Sequence, residues 1–267
     1  MGNVTTINKL KGYLSASETQ ENLKRMLGKK AQGFATSVLS TVNNNTLLQR
    51  AEPSSVYSAA MIAASLDLPI NQSLGFAAIV PYGDKAQFQI MTRGLIQLAM
   101  RSGEYKTINC SPVYEGQMVK QDPFTGEYEF QIERTSDKLI GYVAYFKMLN
   151  GFEKYLYMTV EELRAHGKKY SKSYSRANGL WQTNEDAMFA KTVLKLLLSK
   201  YGMLSIEMQR AIKFDQSKVN LNSEDIDESK AEYIDNEDVA VDEEKKQAVA
   251  DKFKDLDIED VSSEVVE

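Results

Sequence analysis

Hydrophobic residues recur at intervals of three and four early in the chain, at intervals of two through its middle, and at three and four again before the composition turns acidic. Leu23, Met26 and Leu27, then Phe34, Val38, Leu39 and Val42, predict helix across residues 19–66. Within that span "PSSVYSAAMIAASL" is an amphipathic segment with Pro53 at its start and Pro69 beyond its end. "GFAAIVPYGDKAQFQIM" places two short apolar runs around Tyr82-Gly83-Asp84-Lys85 and reads as a hairpin. In "RGLIQLAMRS" Leu95, Ile96, Ala99 and Met100 make one apolar face, with Thr92 as the expected cap and Gly103 as the stop.

The middle of the chain reads as strands: "KTINCSPVYEG", "EYEFQIE", "IGYVAYFKM" and "KYLYMTV", with clear alternation at Tyr128, Phe130 and Ile132. "TVEELRAHG" is a short helix, and His166 to Trp181 reads as a loop rich in Ser, Asn and Gly. Thr183 and Asp186 have capping-box spacing ahead of the long helical run "NEDAMFAKTVLKLLLSKYG", and "SIEMQRAI" closes the pattern. The predicted class is α+β: a helical N-terminal part, a central, largely antiparallel sheet with an inserted helix, C-terminal helices, and a disordered acidic tail. Two regions follow, residues 1–219 as the working body and residues 220–267 as a flexible tail that can dock a partner.

Charge sharpens that boundary. The 267-residue chain carries 32 Lys and Arg against 37 Asp and Glu, a net of −5, yet residues 220–267 alone hold 18 acids and 5 bases. Residues 1–219 therefore hold 19 acids and 27 bases, a net of +8. The tail has too few apolar residues to offset its ordering entropy, although Val249, Phe253 and Leu256 lie near helical spacing. A basic body points towards a polyanion, but charge alone does not select one. No apolar run approaches the roughly 20 residues needed to span a bilayer, and the N-terminus lacks the pattern of a secretory signal, so a cytoplasmic protein without membrane contact is expected. Gly2 and Thr6 fit a myristoylation pattern too short to outweigh that reading. Cys110 is the only cysteine and His166 the only histidine, an inventory that disfavours a disulfide framework, a zinc cluster or a Cys/His catalytic pair.

The window "HGKKYSKSYSRANGLW" concentrates Lys168, Lys169, Lys172 and Arg176 with Tyr170, Tyr174 and Trp181, and contains no acid. In an extended backbone Tyr170, Lys172, Tyr174 and Arg176 project to one side, a track on which bases stack at about 1–3 kcal/mol each while cations hold phosphates. The alternative is a solvated basic loop with incidental tyrosines. Lys191 and Lys195 stand one turn apart on the long helix, with Lys200 further along; like charges at that spacing are unfavourable unless an anion is shared between them. That anion is either a phosphate or absent, in which case the lysines are an exposed stripe. Arg93 opens the shorter helix, where backbone N–H groups favour phosphate, and Arg101 and Lys106 follow it. Either arginine can instead pair with a carboxylate.

No Gly-x4-Gly-Lys-Ser/Thr phosphate loop occurs, so no nucleotide cofactor is expected. Asp84 followed by Glu104-Tyr105-Lys106 has the residue types of a metal-dependent nuclease, but Asp84 is equally a turn residue. A passive single-strand coat is the third possibility.

"VPYGDKAQFQIMTRGLIQLAMRSGEYKTI" and "GLWQTNEDAMFAKTVLKLLLSKYGMLSIEMQRAI" together resemble the RecT family of phage single-strand annealing recombinases over roughly residues 20–215. The resemblance implies an annealing protein without covalent chemistry or cofactor. It implies single-stranded DNA and an annealed duplex intermediate as ligands, and a homo-oligomer forming a ring or helical filament. It further implies a partner exonuclease; the tail lies outside the matching stretches, and an exonuclease or a host single-strand-binding protein is expected as what it docks. The matching positions are Arg93-Gly94, Arg101-Ser102-Gly103, Trp181, and Lys191, Thr192 and Lys195. On this basis Arg93, Arg101, Lys191 and Lys195 are expected at phosphates and Trp181 at a base or as a packing anchor. Thr92 stands where the family often has an aromatic residue.

Overall fold

The computed structural model describes residues 2–171, 174, 175, 177, 179–215, 217, 218, 232 and 233. The readings of Lys172 and Arg176, and of the tail apart from Glu232 and Tyr233, lie outside the described residues.

Four helices come first: α1 Gly2–Ser15, α2 Ser17–Leu27, α3 Ala31–Asn43 and α4 Pro53–Ser65. Residues 2–15, which the periodicity left unassigned, bury Leu10 and Leu14. Helix α4 starts with Pro53 at a position where no intrahelical N–H is needed. It is buried on nearly all sides from Ser55 to Ala64, and its alanines let neighbouring backbones approach closely. The hairpin of β1 Ala77–Tyr82 and β2 Lys85–Ile90 packs on α4 in antiparallel register, with Ile79 opposite Phe88 and Ala78 opposite Gln89.

Helix α5 Thr92–Arg101 leaves the hairpin and leads into β3 Tyr105–Tyr114. The hairpin β4 Met118–Asp122 and β5 Glu127–Phe130 follows, then β6 Leu139–Met148 and β7 Glu153–Thr159. β3, β6 and β7 form an antiparallel sheet in the order β3-β6-β7. Strand alternation sends Tyr142, Ala144, Phe146 and Met148 of β6 to one face. That face is covered by α8 Glu185–Tyr201, which buries Phe189, Val193, Leu194, Leu197 and Leu198. The opposite face carries Tyr145, Tyr155 and Tyr157, against which the β4–β5 hairpin lays Tyr128 and Phe130. The tip of this hairpin is tied to the sheet where Lys154 Nζ donates to the Thr125 carbonyl, and it leaves Phe124 96% exposed. α6 Val160–Tyr170, α7 Leu180–Thr183 and α9 Ile206–Phe214 complete the body, and β8 Ser217–Lys218 pairs with β9 Glu232–Tyr233. The α+β class and the sequence of helices, antiparallel sheet and helices are as expected.

Three local expectations are corrected. Thr92 is the first residue of α5 and caps nothing; the N-cap is Met91, in extended conformation and without a side-chain cap. Thr183 and Asp186 form no capping box: Thr183 Oγ1 donates to the Gly179 carbonyl, and Asp186 accepts a 2.9 Å hydrogen bond from Tyr142, so both side chains are committed elsewhere. The box instead belongs to α6, where Thr159 Oγ1 accepts from the Glu162 N–H and the Glu162 carboxylate accepts from the Thr159 N–H. That strong start carries the helix as far as Tyr170, so the first five residues of the basic window are helical, not extended.

Candidate nucleic-acid interface

Arg93 is set by the glycine that follows it. A Cβ on Gly94 would lie 2.1 Å from the Phe76 carbonyl oxygen, so only glycine lets α5 start against the entry to β1. The exposed Arg93 guanidinium then reaches back to the Leu74 carbonyl at 3.2 Å. Arg101, at the other end of α5, donates to the carbonyls of Leu66 at 2.5 Å and Asp67 at 2.7 Å, and lies 3.8 Å from the Asp67 carboxylate. It closes the turn after α4, and its charge is partly answered within the protein.

Lys191 and Lys195 do share an anion, but the anion is Asp215. Lys191 Nζ donates to Asp215 Oδ1 at 3.0 Å and Lys195 Nζ to Oδ2 at 2.6 Å, with the three side chains 4%, 20% and 0% exposed. The same carboxylate accepts the Ile90 N–H at 3.1 Å, joining α8, β2 and the end of α9. Burial alone would raise the Asp215 carboxyl; the adjacent ammonium groups and their hydrogen bonds outweigh it and hold the group below the usual carboxylate range. The Lys191 ammonium is therefore not placed to meet a phosphate in this conformation: it faces the interior, where its charge is compensated. Lys195 keeps only a partial outlet to solvent.

The window splits in the same way. Arg164 holds α6 on α8 through a bidentate pair with Glu185, both contacts at 2.8 Å, and presents Lys168 and Lys169 to solvent. His166 lies against Tyr170 with ring centroids 4.5 Å apart and the ring planes tilted by 49°. Burial, then the nearby charges of Lys195 and Lys169, lower its pKa to about 4, so it is neutral near pH 7. Tyr174 turns inward onto Trp181 at 5.6 Å, and Trp181 packs in turn on Phe189 at 6.1 Å. At 5% exposure Trp181 is a packing anchor. A Cβ on Gly167 would meet both the Trp181 and the Tyr174 ring at 2.8 Å, so this glycine is what lets α6 sit on the indole. Tyr170 and Tyr174 thus do not line up as the extended track required. Lys106 on β3 and Lys200 on α8 are exposed, the latter 5.2 Å from the Tyr201 ring.

Beside the window lies a cleft of about 860 Å³, lined by residues of α3, of the β1–β2 hairpin, by Ile70 and Asn71, and by Ser171, Gly179, Leu180, Trp181, Asn184 and Met188. The sequence pattern gave no sign of it, because its lining comes from separate stretches of the chain. For the nuclease reading, Asp84 sits in the β1–β2 turn with its carbonyl accepting the Glu52 N–H, and Glu104 lies in the turn between α5 and β3. Among the described residues no three carboxylate, histidine or cysteine groups gather as a metal site would need, and no helix is long and apolar enough to cross a membrane.

These features describe an α+β body with dispersed surface cations beside a cleft. The chain belongs to the RecT family, whose profile matches residues 32–234, and so to the single-strand annealing recombination proteins. It is 46% identical over 257 residues to the uncharacterized protein YqaK of Bacillus subtilis (strain 168), covering 94% of this chain and 89% of that one. It is 31% identical over 181 residues to the protein RecT of Escherichia coli (strain K12), covering 61% of this chain and 63% of that one.

Proposed function

We propose that this protein binds single-stranded DNA and speeds the pairing of complementary strands without nucleotide hydrolysis, acting as a homo-oligomer. Membership of the RecT family carries the reading. The energetics are compatible with it: each base-pair step stacks with about 1.4 kcal/mol, so pairing runs downhill once strands meet and the protein has only to lower the barriers of repulsion, internal structure and search. Arg93, Lys106, Lys168, Lys169 and Lys200 are the exposed cations proposed to meet phosphates. A protomer offering so few contacts grips weakly, and a long strand is held by lining up many protomers, which makes self-association part of the mechanism. With about three phosphates neutralised per protomer, log affinity should fall against log salt with a slope of about −2.

Fluorescence of two labelled complementary oligonucleotides, followed in EDTA and without ATP, tests the proposal. Pairing accelerated by stoichiometric protein, with both strands remaining full length, is the expected result. Unchanged pairing kinetics, or strands shortened when magnesium is supplied, would overturn it.

A further inference from the structure

The described residues that line the cleft beside the window carry no charge. Not one of these 21 is ionisable, whereas 46 of the first 219 residues of the chain are charged. Hydroxyls and amides alternate with apolar walls: Ser40, Asn44, Gln89 and Asn184 face the same space as Pro81 and Trp181. These described residues offer no counter-charge to a phosphate. It offers flat apolar contact and groups that both donate and accept, which is what a nucleobase presents in return.

Gln89 gives the cleft its direction. It sits on β2 among Phe88 and Ile90, in a strand position where an apolar residue would pack without penalty. The residue is only 9% exposed, its side chain makes no hydrogen bond among the described residues, and it lines the cleft. Asn184, which also lines the cleft, is exposed and makes no side-chain hydrogen bond among the described residues. An amide that opens onto a cleft without a protein partner is available to a ligand with a polar edge. Position is also fixed from behind: the next residue, Ile90, is pinned through its N–H to Asp215.

We infer that this cleft receives a nucleobase of the bound strand, turned out of its stack, with the amides of Gln89 and Asn184 on its edge and the sugar-phosphate left outside. The inference rests on the single-strand reading above and deepens it. Because an amide serves as donor and acceptor at once, thymine, cytosine, adenine and guanine edges all find a complement, and the cleft need not impose a sequence preference.

Trp181, the only tryptophan of the chain, forms part of the wall and reports on occupancy. The full chain is titrated with a fluorescein-labelled oligothymidylate and with an abasic strand of equal length and charge. Anisotropy measures binding, and Trp181 emission measures entry into the cleft. Both strands should bind, oligothymidylate about tenfold more tightly, and only oligothymidylate should change the emission. In Gln89→Leu, which keeps the volume and suits the strand, the tenfold preference should collapse while affinity for the abasic strand stays as in the parent. Equal emission changes with both strands, or a Gln89→Leu protein retaining the full preference, would overturn the inference and leave single-strand binding standing. Absence of any anisotropy change would overturn the single-strand reading, and the base cleft with it.

Discussion

Replacing Asp215 with Asn removes one negative charge and leaves two ammonium groups around a neutral amide. The amide oxygen can still accept the Ile90 N–H, so the loss falls on the two lysine contacts of 3.0 and 2.6 Å. Lys195, at 20% exposure, can swing towards water; Lys191, at 4%, cannot. The change therefore strands one buried ammonium, and breaking a buried pair in this way costs about 3–5 kcal/mol. For a body of this size each kcal/mol shifts Tm by roughly 2–4 °C, so a drop on the order of 10 °C is expected. Urea unfolding followed by circular dichroism should show the midpoint falling at constant m.

The pH dependence supplies a second check with a defined sign. In the parent, Asp215 is held below its unfolded value, so its contribution is complete above the ordinary carboxylate range and disappears as pH falls through the lower folded value. In Asp215→Asn that acid limb is gone. The double variant Lys191→Met, Asp215→Asn should recover most of the loss, since no charge remains stranded. A loss below about 1 kcal/mol in the single variant, or no recovery in the double one, would refute the buried triad as the fastening between α8, α9 and β2.

Other outcomes follow from the same geometry. Lys168→Ala should reduce the steepness of the salt dependence of strand binding by about 0.7, whereas Lys191→Met should leave the slope unchanged; the reverse pattern would mean that the interior lysine turns outward to meet DNA. Gly167→Ala drives a methyl group into the Trp181 and Tyr174 rings, so it should cost about 1–3 kcal/mol and shift Trp181 emission to the red; unaltered stability would show that the contact is slack. His166 should titrate by NMR at about 4, and because the unfolded chain binds its proton more readily, His166 costs stability as pH falls from about 6.5 towards 4; a midpoint near 6.5 would contradict its burial. Removing residues 236–267, which keeps the β8–β9 pairing, should leave annealing intact and strengthen DNA binding, and a folded but inactive truncation would end the division between body and tail.

The class of fold was legible because it rests on periodicity. Val193, Leu194 and Leu197 announced the buried face of α8, and the alternating strands announced a sheet. The site was less legible, for a reason visible at Lys191 and Lys195. Their spacing demanded an anion, and sequence alone could not say whether it came from a ligand or from 20 residues downstream. Asp215 closes an amphipathic helix and looks like any acidic residue at a helix end. Tyr174 and Trp181 illustrate the complementary case: aromatic residues among cations suit both a stacking platform and a core, and only the proximity of Phe189 and Gly167 decides for the core. Gln89 was invisible, since one glutamine in a strand carries meaning only once its burial and lack of partners are known.

Asp215 also bears on the order in which the chain is made. Lys191 emerges during synthesis 24 residues ahead of its counter-charge, and Ile90 precedes its acceptor by 125. Until the last turn of α9 is translated, α8 cannot bury its inner ammonium at low cost, and the final fastening of the body is a late event. A nascent chain halted before that codon would carry 214 of the first 219 residues and still be unable to close.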